Sequence, residues 1–293
     1  MSDPSPVRTV EQVLPSRETI EGAGVHLRRA FGNQEVPKLD PFLLLDDFRS
    51  ENPAEYVAGF PWHPHRGIET VTYMFDGFVE HEDSLGNKGA IRPGDVQWMT
   101  AGNGIIHQEM PKHTDEDGRM GGFQLWVNLP ASNKMMDPRY QGIESAQIPE
   151  VEAAKGVEVR VVAGQIGGVQ GPVTHIVVDP EYLDVQVAPR ARFDHPVKKG
   201  HRAFAYVVRG RGRFDAEGGE VVDSENLVLF RDGERVAIEA MDEPLRFLLI
   251  SGKPLREPVA WWGPIVMNNR REIEVAVEEF QNGTFVKHTP RMR

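Results

Sequence analysis

Apolar residues in this chain recur in short alternating runs rather than in long helical stripes. From Glu69 to Phe75, Val71, Tyr73 and Phe75 alternate with Thr70, Thr72 and Met74; from Phe123 to Leu129, the residues Phe123, Leu125, Val127 and Leu129 share one face. Successive side chains of a strand point to opposite faces, so a period of two predicts strands turned toward a core. Further strands are predicted at Val157–Val162, His175–Val178, Leu183–Val187, Phe204–Val208, Leu227–Phe230 and Leu245–Ile250. Turn-forming clusters separate them: DSLGN at 83–87, RPGD at 92–95, RGRG at 209–212 and RDGE at 231–234.

A single helix is predicted near the end. Asn269 is placed to cap it, Ile273, Ala276, Val277 and Phe280 fall on one side, and Gly283 stands just past its last turn. Residues 136–155 have a poorer strand pattern and read as a linker between two similar β-domains. Two internal parallels support a duplication: HRGIETVTYMFDG (65–77) with HRAFAYVVRGRG (201–212), and RPGDVQWM with the stretch through ENLVLFRDG. The resulting expectation is an all-β chain with a first domain at 1–135, a linker at 136–155 and a second domain at 156–293 that carries the helix.

Composition narrows the chemistry. The 293 residues include 33 basic and 44 acidic side chains, a net charge of −11, which repels phosphate backbones and argues against direct nucleic-acid binding. There is no cysteine, so disulfides, thiolate ligands and cysteine nucleophiles are excluded. The opening MSDPSPVRTVEQ lacks the apolar core of a secretory leader, and no run approaches the roughly 18 apolar residues of a membrane helix. A soluble, cytoplasmic protein without a membrane partner is expected, and a monomer.

Two histidine-bearing motifs carry the candidate chemistry. FPWHPHRGIE holds His63 and His65, and MTAGNGIIHQEM holds His107 and Glu109 at the same i, i+2 spacing. Two strands with such pairs facing each other inside a barrel can converge four donors on one ion. Imidazole plus carboxylate suits iron, manganese, cobalt, nickel, copper or zinc, and four ligands leave open positions for substrate. The bland alternative is a set of hydrogen-bonded core histidines. Pro64 cannot donate a ladder hydrogen bond, so its segment should be an edge strand or a bulge. Glu69 shares the parity of Val71, Tyr73 and Phe75, and a charged carboxylate among them needs a compensating metal, arginine or proton. His81, between Glu80 and Glu82, reads as solvated; His113 and His288 read as loop or tail residues, and His26, His175 and His195 have no partner pattern. Trp62 and Trp98 flank the two motifs and are placed to line a pocket mouth, whereas Trp261 and Trp262 are expected at a domain seam.

The motifs HPHRGIETVTYMFDG, EHEDSLGNKGAIRPGDVQWMTAGNGIIHQEMP and GPIVMNNRREIEVAVEEFQNGTF resemble those of the pirin family of bicupins, and the likeness runs from about Leu14 through PFLLLDDF to the end helix. The resemblance implies two tandem cupin barrels of the jelly-roll (double-stranded β-helix) type, with a short C-terminal helix. It implies one divalent metal, Fe(II) first among the candidates, in the first barrel, held by His63, His65, His107 and Glu109. Generic cupins carry a glutamate ligand where Glu69 stands; here His107-x-Glu109 supplies the carboxylate, which leaves Glu69 as a partner just outside the metal. The second barrel has His201 but no second motif, and is expected to be metal-free. The activity implied is that of a quercetin 2,3-dioxygenase, with a planar phenolic substrate and dioxygen as partners and Glu109 or Glu69 as the base. The alternative is an iron-dependent redox-sensing regulator that binds a protein partner and does no chemistry.

Overall fold

The computed structural model describes residues 6–112, 118–215 and 218–287. The chain divides into two compact units, neither of them contiguous. One comprises Met1–Arg17 with Ala146–Pro254, the other Glu18–Ser145 with Leu255–Arg293. This differs from the domains expected from the sequence. The first strand, Val10–Pro15, pairs with Asn226–Phe230, and the C-terminal segment belongs with the earlier unit. The supposed linker also contributes structure at both ends: Arg139–Ile143 pairs with Val96–Thr100, and Glu150–Ala154 pairs with Val157–Ala163.

The unit built on residues 18–145 is a sandwich of two antiparallel sheets. Its seven-stranded sheet runs, in spatial order, Arg139–Ile143, Val96–Thr100, Ile68–Asp76, Gly121–Asn128, Phe42–Asp47, Val25–Phe31, Arg17–Glu21. Its four-stranded sheet runs Phe60–His65, Ile105–Lys112, Phe78–Asp83, Lys88–Ile91. Phe60–His65 is therefore an edge strand, as Pro64 requires. The predicted run at 69–75 lies within the strand Ile68–Asp76, and that at 123–129 overlaps Gly121–Asn128 up to Asn128, with Leu129 just past its end; the two strands pair directly.

The other unit repeats the plan, with seven strands (Val10–Pro15, Asn226–Phe230, Arg202–Arg209, Leu245–Gly252, Glu181–Val187, Val157–Ala163, Glu150–Ala154) and four (Arg192–Pro196, Arg235–Ala240, Arg211–Arg213, Val221–Asp223). The internal parallels mark equivalent places. Ile68–Asp76 pairs with Val96–Thr100 as Arg202–Arg209 pairs with Asn226–Phe230. The interior of this second barrel is filled by Val159, Val161, Val185, Phe193, Phe214 and Phe247, all buried. Phe247 meets Phe193 and Phe214 at ring-centre distances of 5.8 and 5.5 Å. Close aromatic packing of this kind fills that part of the interior.

One predicted strand is absent. Residues 175–178 form no strand, because His175 and Asp179 adopt left-handed backbone (φ 58° and 49°), which breaks the extended run. The predicted helix spans Arg270–Gln281. The Asn269 side chain accepts from the Glu272 N–H at 3.0 Å, and the Glu272 carboxylate accepts from the Asn268 N–H at 2.8 Å, a reciprocal cap. Ile273 and Ala276 are buried, while Phe280 stays largely exposed. No helix among the described residues is long and apolar enough to cross a membrane.

Candidate metal centre

The two motifs meet because their strands are neighbours. Phe60–His65 runs antiparallel to Ile105–Lys112, with His63 opposite His107 and His65 opposite Ile105. The register slips between His107 and Glu109, so Glu109 lies opposite Phe60. A bulge of this kind re-aims the side chains beside it. The candidate ligand nitrogens of His63, His65 and His107 all lie within 4.8 Å of one another.

Hydrogen bonds fix how these rings face. His63 Nδ1 lies 2.8 Å from the carbonyl oxygen of Pro61, and His65 Nδ1 lies 3.2 Å from that of Pro264. A carbonyl only accepts, so both Nδ1 atoms carry the proton and both Nε2 atoms keep a lone pair. In the neutral rings those two Nε2 atoms, 3.1 Å apart, face each other with their lone pairs, His65 buried and His63 half-buried. Neither ring nitrogen of His107 has a hydrogen-bond partner, although the residue is 1% exposed. Three orphaned imidazole nitrogens turned inward are what a cation relieves. Two nitrogens about 2.1 Å from one ion, at right angles, stand about 3.0 Å apart. The donor set therefore fits a divalent transition metal.

Electrostatics favour the ligand-competent state. Burial, with the neighbouring His63 adding to it, holds the pKa of His65 well below the ordinary histidine value. Burial does the same to His107, helped by His65, His63 and His81. Neutral imidazole is the form that binds metal, so these rings need little proton release to do so.

Glu109 is close by but outside the set of three. It lines the same cavity as His63 and His65, and its Oε1 accepts from the Thr72 hydroxyl at 3.0 Å. Thr72 Oγ1 also lies 2.7 Å from the Gln124 side-chain oxygen position. A hydroxyl has one proton; when Thr72 gives it to Glu109, the Gln124 amide must turn its N–H to Thr72. The carboxylate is thus held at the cavity wall by a two-link chain.

Glu69 is elsewhere. Thr72 of the strand Ile68–Asp76 lines the cavity, and Gln124 and Trp126 do so from its neighbour. Glu69 has the opposite parity and lies on the other face, where its Oε1 accepts from the Thr100 hydroxyl at 2.7 Å and Arg139 stands 3.9 Å away. Burial raises its pKa, against the lowering influence of Thr100, Trp98 and Arg139. The expectation that Glu69 sits beside the metal is therefore corrected by strand alternation.

Other expectations change as well. His81 is buried rather than solvated: it alternates with Val79 and Asp83, which also face inward. Its ring stacks on Tyr140 (5.2 Å, 27°) and lies 5.4 Å from that of His107. Asp83 approaches it at 3.5 Å, and bonds from His81 and Asn87 hold the Asp83 pKa down despite burial. Burial, with Asp83 and Glu109 nearby, pushes Tyr140 up to about 12, so its hydroxyl keeps its proton. Trp98 is fully buried on the Glu69 face, and neither it nor the half-exposed Trp62 belongs to the lining of this cavity. Trp261, expected at a seam, instead lines the metal cavity. His113 and His288 lie outside the described residues.

The cavity itself encloses about 680 Å³. Beyond the histidines its wall is mainly apolar, with Val25, Leu27, Phe48 and Met120, and besides Glu109 it holds one charged cluster of Arg29, Asp46 and Glu21. Arg29 donates to both oxygens of Asp46 at 2.8 and 2.7 Å, and also meets Glu21 at 2.8 Å. Burial raises the Asp46 pKa, opposed by that bidentate bond, and the neighbouring Glu21 adds to the rise.

The chain is similar to known proteins along most of its length. The family profile described as Pirin matches residues 24–127, and that described as Pirin C-terminal cupin domain matches residues 182–286. A Pseudomonas aeruginosa protein named "Putative quercetin 2,3-dioxygenase" is 45% identical over 285 residues, covering 94% of this chain and 97% of that protein. Human Pirin is 42% identical over 273 residues, covering 91% and 90%. The crystal structure titled quercetin 2,3-dioxygenase from Acinetobacter baumannii superposes with a TM-score of 0.86 at 32% identity, covering 96% of this chain and 99% of that one.

Proposed function

Because this chain belongs to the pirin family, we propose that it is a metal-dependent dioxygenase that opens a flavonol such as quercetin with dioxygen. The observation that carries the reading is the pair of carbonyl-tied histidines whose Nε2 lone pairs face each other at 3.1 Å. His63, His65 and His107 would hold the ion, with Glu109 as the carboxylate at the same wall. Fe(II) is the first candidate, and Mn, Co, Ni, Cu and Zn share the ligand preference. When bound, the metal supplies Lewis acidity toward the flavonol oxygen.

The remaining work falls to the chain's own groups. Glu109 takes the proton from the flavonol hydroxyl, and Thr72 holds the carboxylate in place for it. The ring system is then electron-rich enough for dioxygen to attack; both oxygen atoms enter the ring-opened ester and carbon monoxide leaves. The apolar wall excludes bulk water, which strengthens the charge interactions inside. Protein purified without chelator or polyhistidine tag, assayed for metal by elemental analysis, should hold about one ion per chain. The same protein should consume dissolved oxygen as flavonol absorbance falls. Metal-loaded protein that leaves both unchanged refutes the enzyme reading.

A further inference from the structure

The cavity wall nearest His65 is built from a segment distant in sequence. A parallel bridge joins Arg66 to Ile265, and the Val266 N–H donates to the Arg66 carbonyl at 3.0 Å. Lys134, buried, donates its ammonium to the carbonyls of Gly67 and Val266 (2.9 and 2.8 Å) and to Asn128 Oδ1 (2.7 Å). Arg66 donates to the Phe285 carbonyl at 3.0 Å, meets Glu279 at 2.7 Å and lies 4.2 Å from the Phe285 ring centre. Gly67 has φ +77°, and a Cβ there would stand 2.0 Å from the Val266 oxygen, so the two backbones touch. The segment is a fixed wall stitched to the histidine turn.

That wall presents Trp261 to the cavity. Its indole N–H donates to the Gly263 carbonyl at 2.8 Å, which pins the ring and uses up its only polar group. What remains on offer is a π face. Trp261 lies 6.1 Å from Trp126 at 36°, and Trp126 meets His65 edge-on at 5.0 Å and 88°. An aromatic line thus leads from the metal ligands to a ring that is 36% exposed. Pinned aromatic faces reward flat, conjugated ligands by offset stacking and give non-planar ones nothing comparable.

We infer that Trp261 is the specificity-determining residue of the cavity: a flat aromatic substrate stacks on its indole and so presents its edge to the three histidines. The inference rests on the flavonol reading above and names the residue that selects planarity. It is tested by anaerobic titration of quercetin into the metal-loaded wild type and into Trp261→Ala, Trp261→Phe and Trp262→Ala, with metal content measured on each. Trp262 is the control, since it is 56% exposed and lines no part of the cavity. Trp261→Ala should bind about tenfold more weakly, Trp261→Phe should recover to within about threefold, and Trp262→Ala should match wild type, all at equal metal content. Trp261→Ala that binds as the wild type does, or that loses its metal, overturns the inference and leaves the flavonol reading standing. Wild-type protein that does not bind quercetin overturns the flavonol reading itself.

Discussion

Replacing Glu109 and Glu69 in turn by glutamine separates two carboxylates that lie on opposite faces of the barrel wall. Glu109 lines the metal cavity and is bonded to Thr72, whereas Glu69 is bonded to Thr100 on the far face. Glutamine keeps an oxygen for each hydroxyl but removes the negative charge and the capacity to take a proton. If Glu109 is the base, Glu109→Gln should lower kcat by about 10²–10⁴-fold, or ~3–5 kcal/mol of barrier. Glu69→Gln removes a charge 3.9 Å from Arg139, keeps an oxygen for the Thr100 hydroxyl and touches nothing in the cavity. Its kcat should stay within about twofold of wild type. The assay is initial oxygen uptake with quercetin at saturation, on protein of matched metal content. A Glu69→Gln rate as low as that of Glu109→Gln would refute the parity argument, because the proton would then have to leave through the opposite face.

Other expectations follow from single contacts. The native Glu69 carboxyl binds its proton at higher pH than in the unfolded chain, where it titrates near the ordinary value. Between the two pKa values the native state holds a proton the unfolded state has lost, so stability falls as pH rises through that window. Urea unfolding of wild type and Glu69→Gln from pH 4 to 7 should show this slope in the first and not in the second. Gly67→Ala places a Cβ 2.0 Å from the Val266 oxygen at φ +77°, and should lower unfolding stability by about 3 kcal/mol or more, read from urea midpoints. His81→Phe keeps a ring against Tyr140 but removes the imidazole beside His107; metal affinity should fall about tenfold in competition with a chelator. Unchanged affinity would mean His81 only fills space.

Much of the architecture can be read from residue order alone. Alternation in 123–129 marks a central strand, and Pro64 marks an edge, because both follow from backbone geometry that needs no distant partner. The His-x-His and His-x-Glu motifs likewise announce three converging imidazoles. The two glutamates were harder. Parity along Ile68–Asp76 separates Glu69 from Thr72, but which parity faces the cavity depends on the neighbouring sheet. His81 was disguised by the charges of Glu80 and Glu82, although Val79 two residues earlier carried the signal that its face is buried. The role of residues 255–287 was invisible, since the contacts between Arg66 and Ile265 or Phe285 join positions about two hundred apart and leave no local periodicity.

Protein synthesis proceeds from residue 1 upward, yet the carbonyl that orients His65 belongs to Pro264, 199 positions later. On the ribosome the nascent first barrel must wait, its histidine turn lacking Pro264, Val266 and Phe285, while the entire second barrel is made. If the three histidines hold an ion, the carbonyl that orients His65 joins them only after residue 264 is made. A stop codon between His107 and the closing hairpin Ala260–Met267 would yield a polypeptide with all three histidines but without the carbonyl of Pro264 that orients His65.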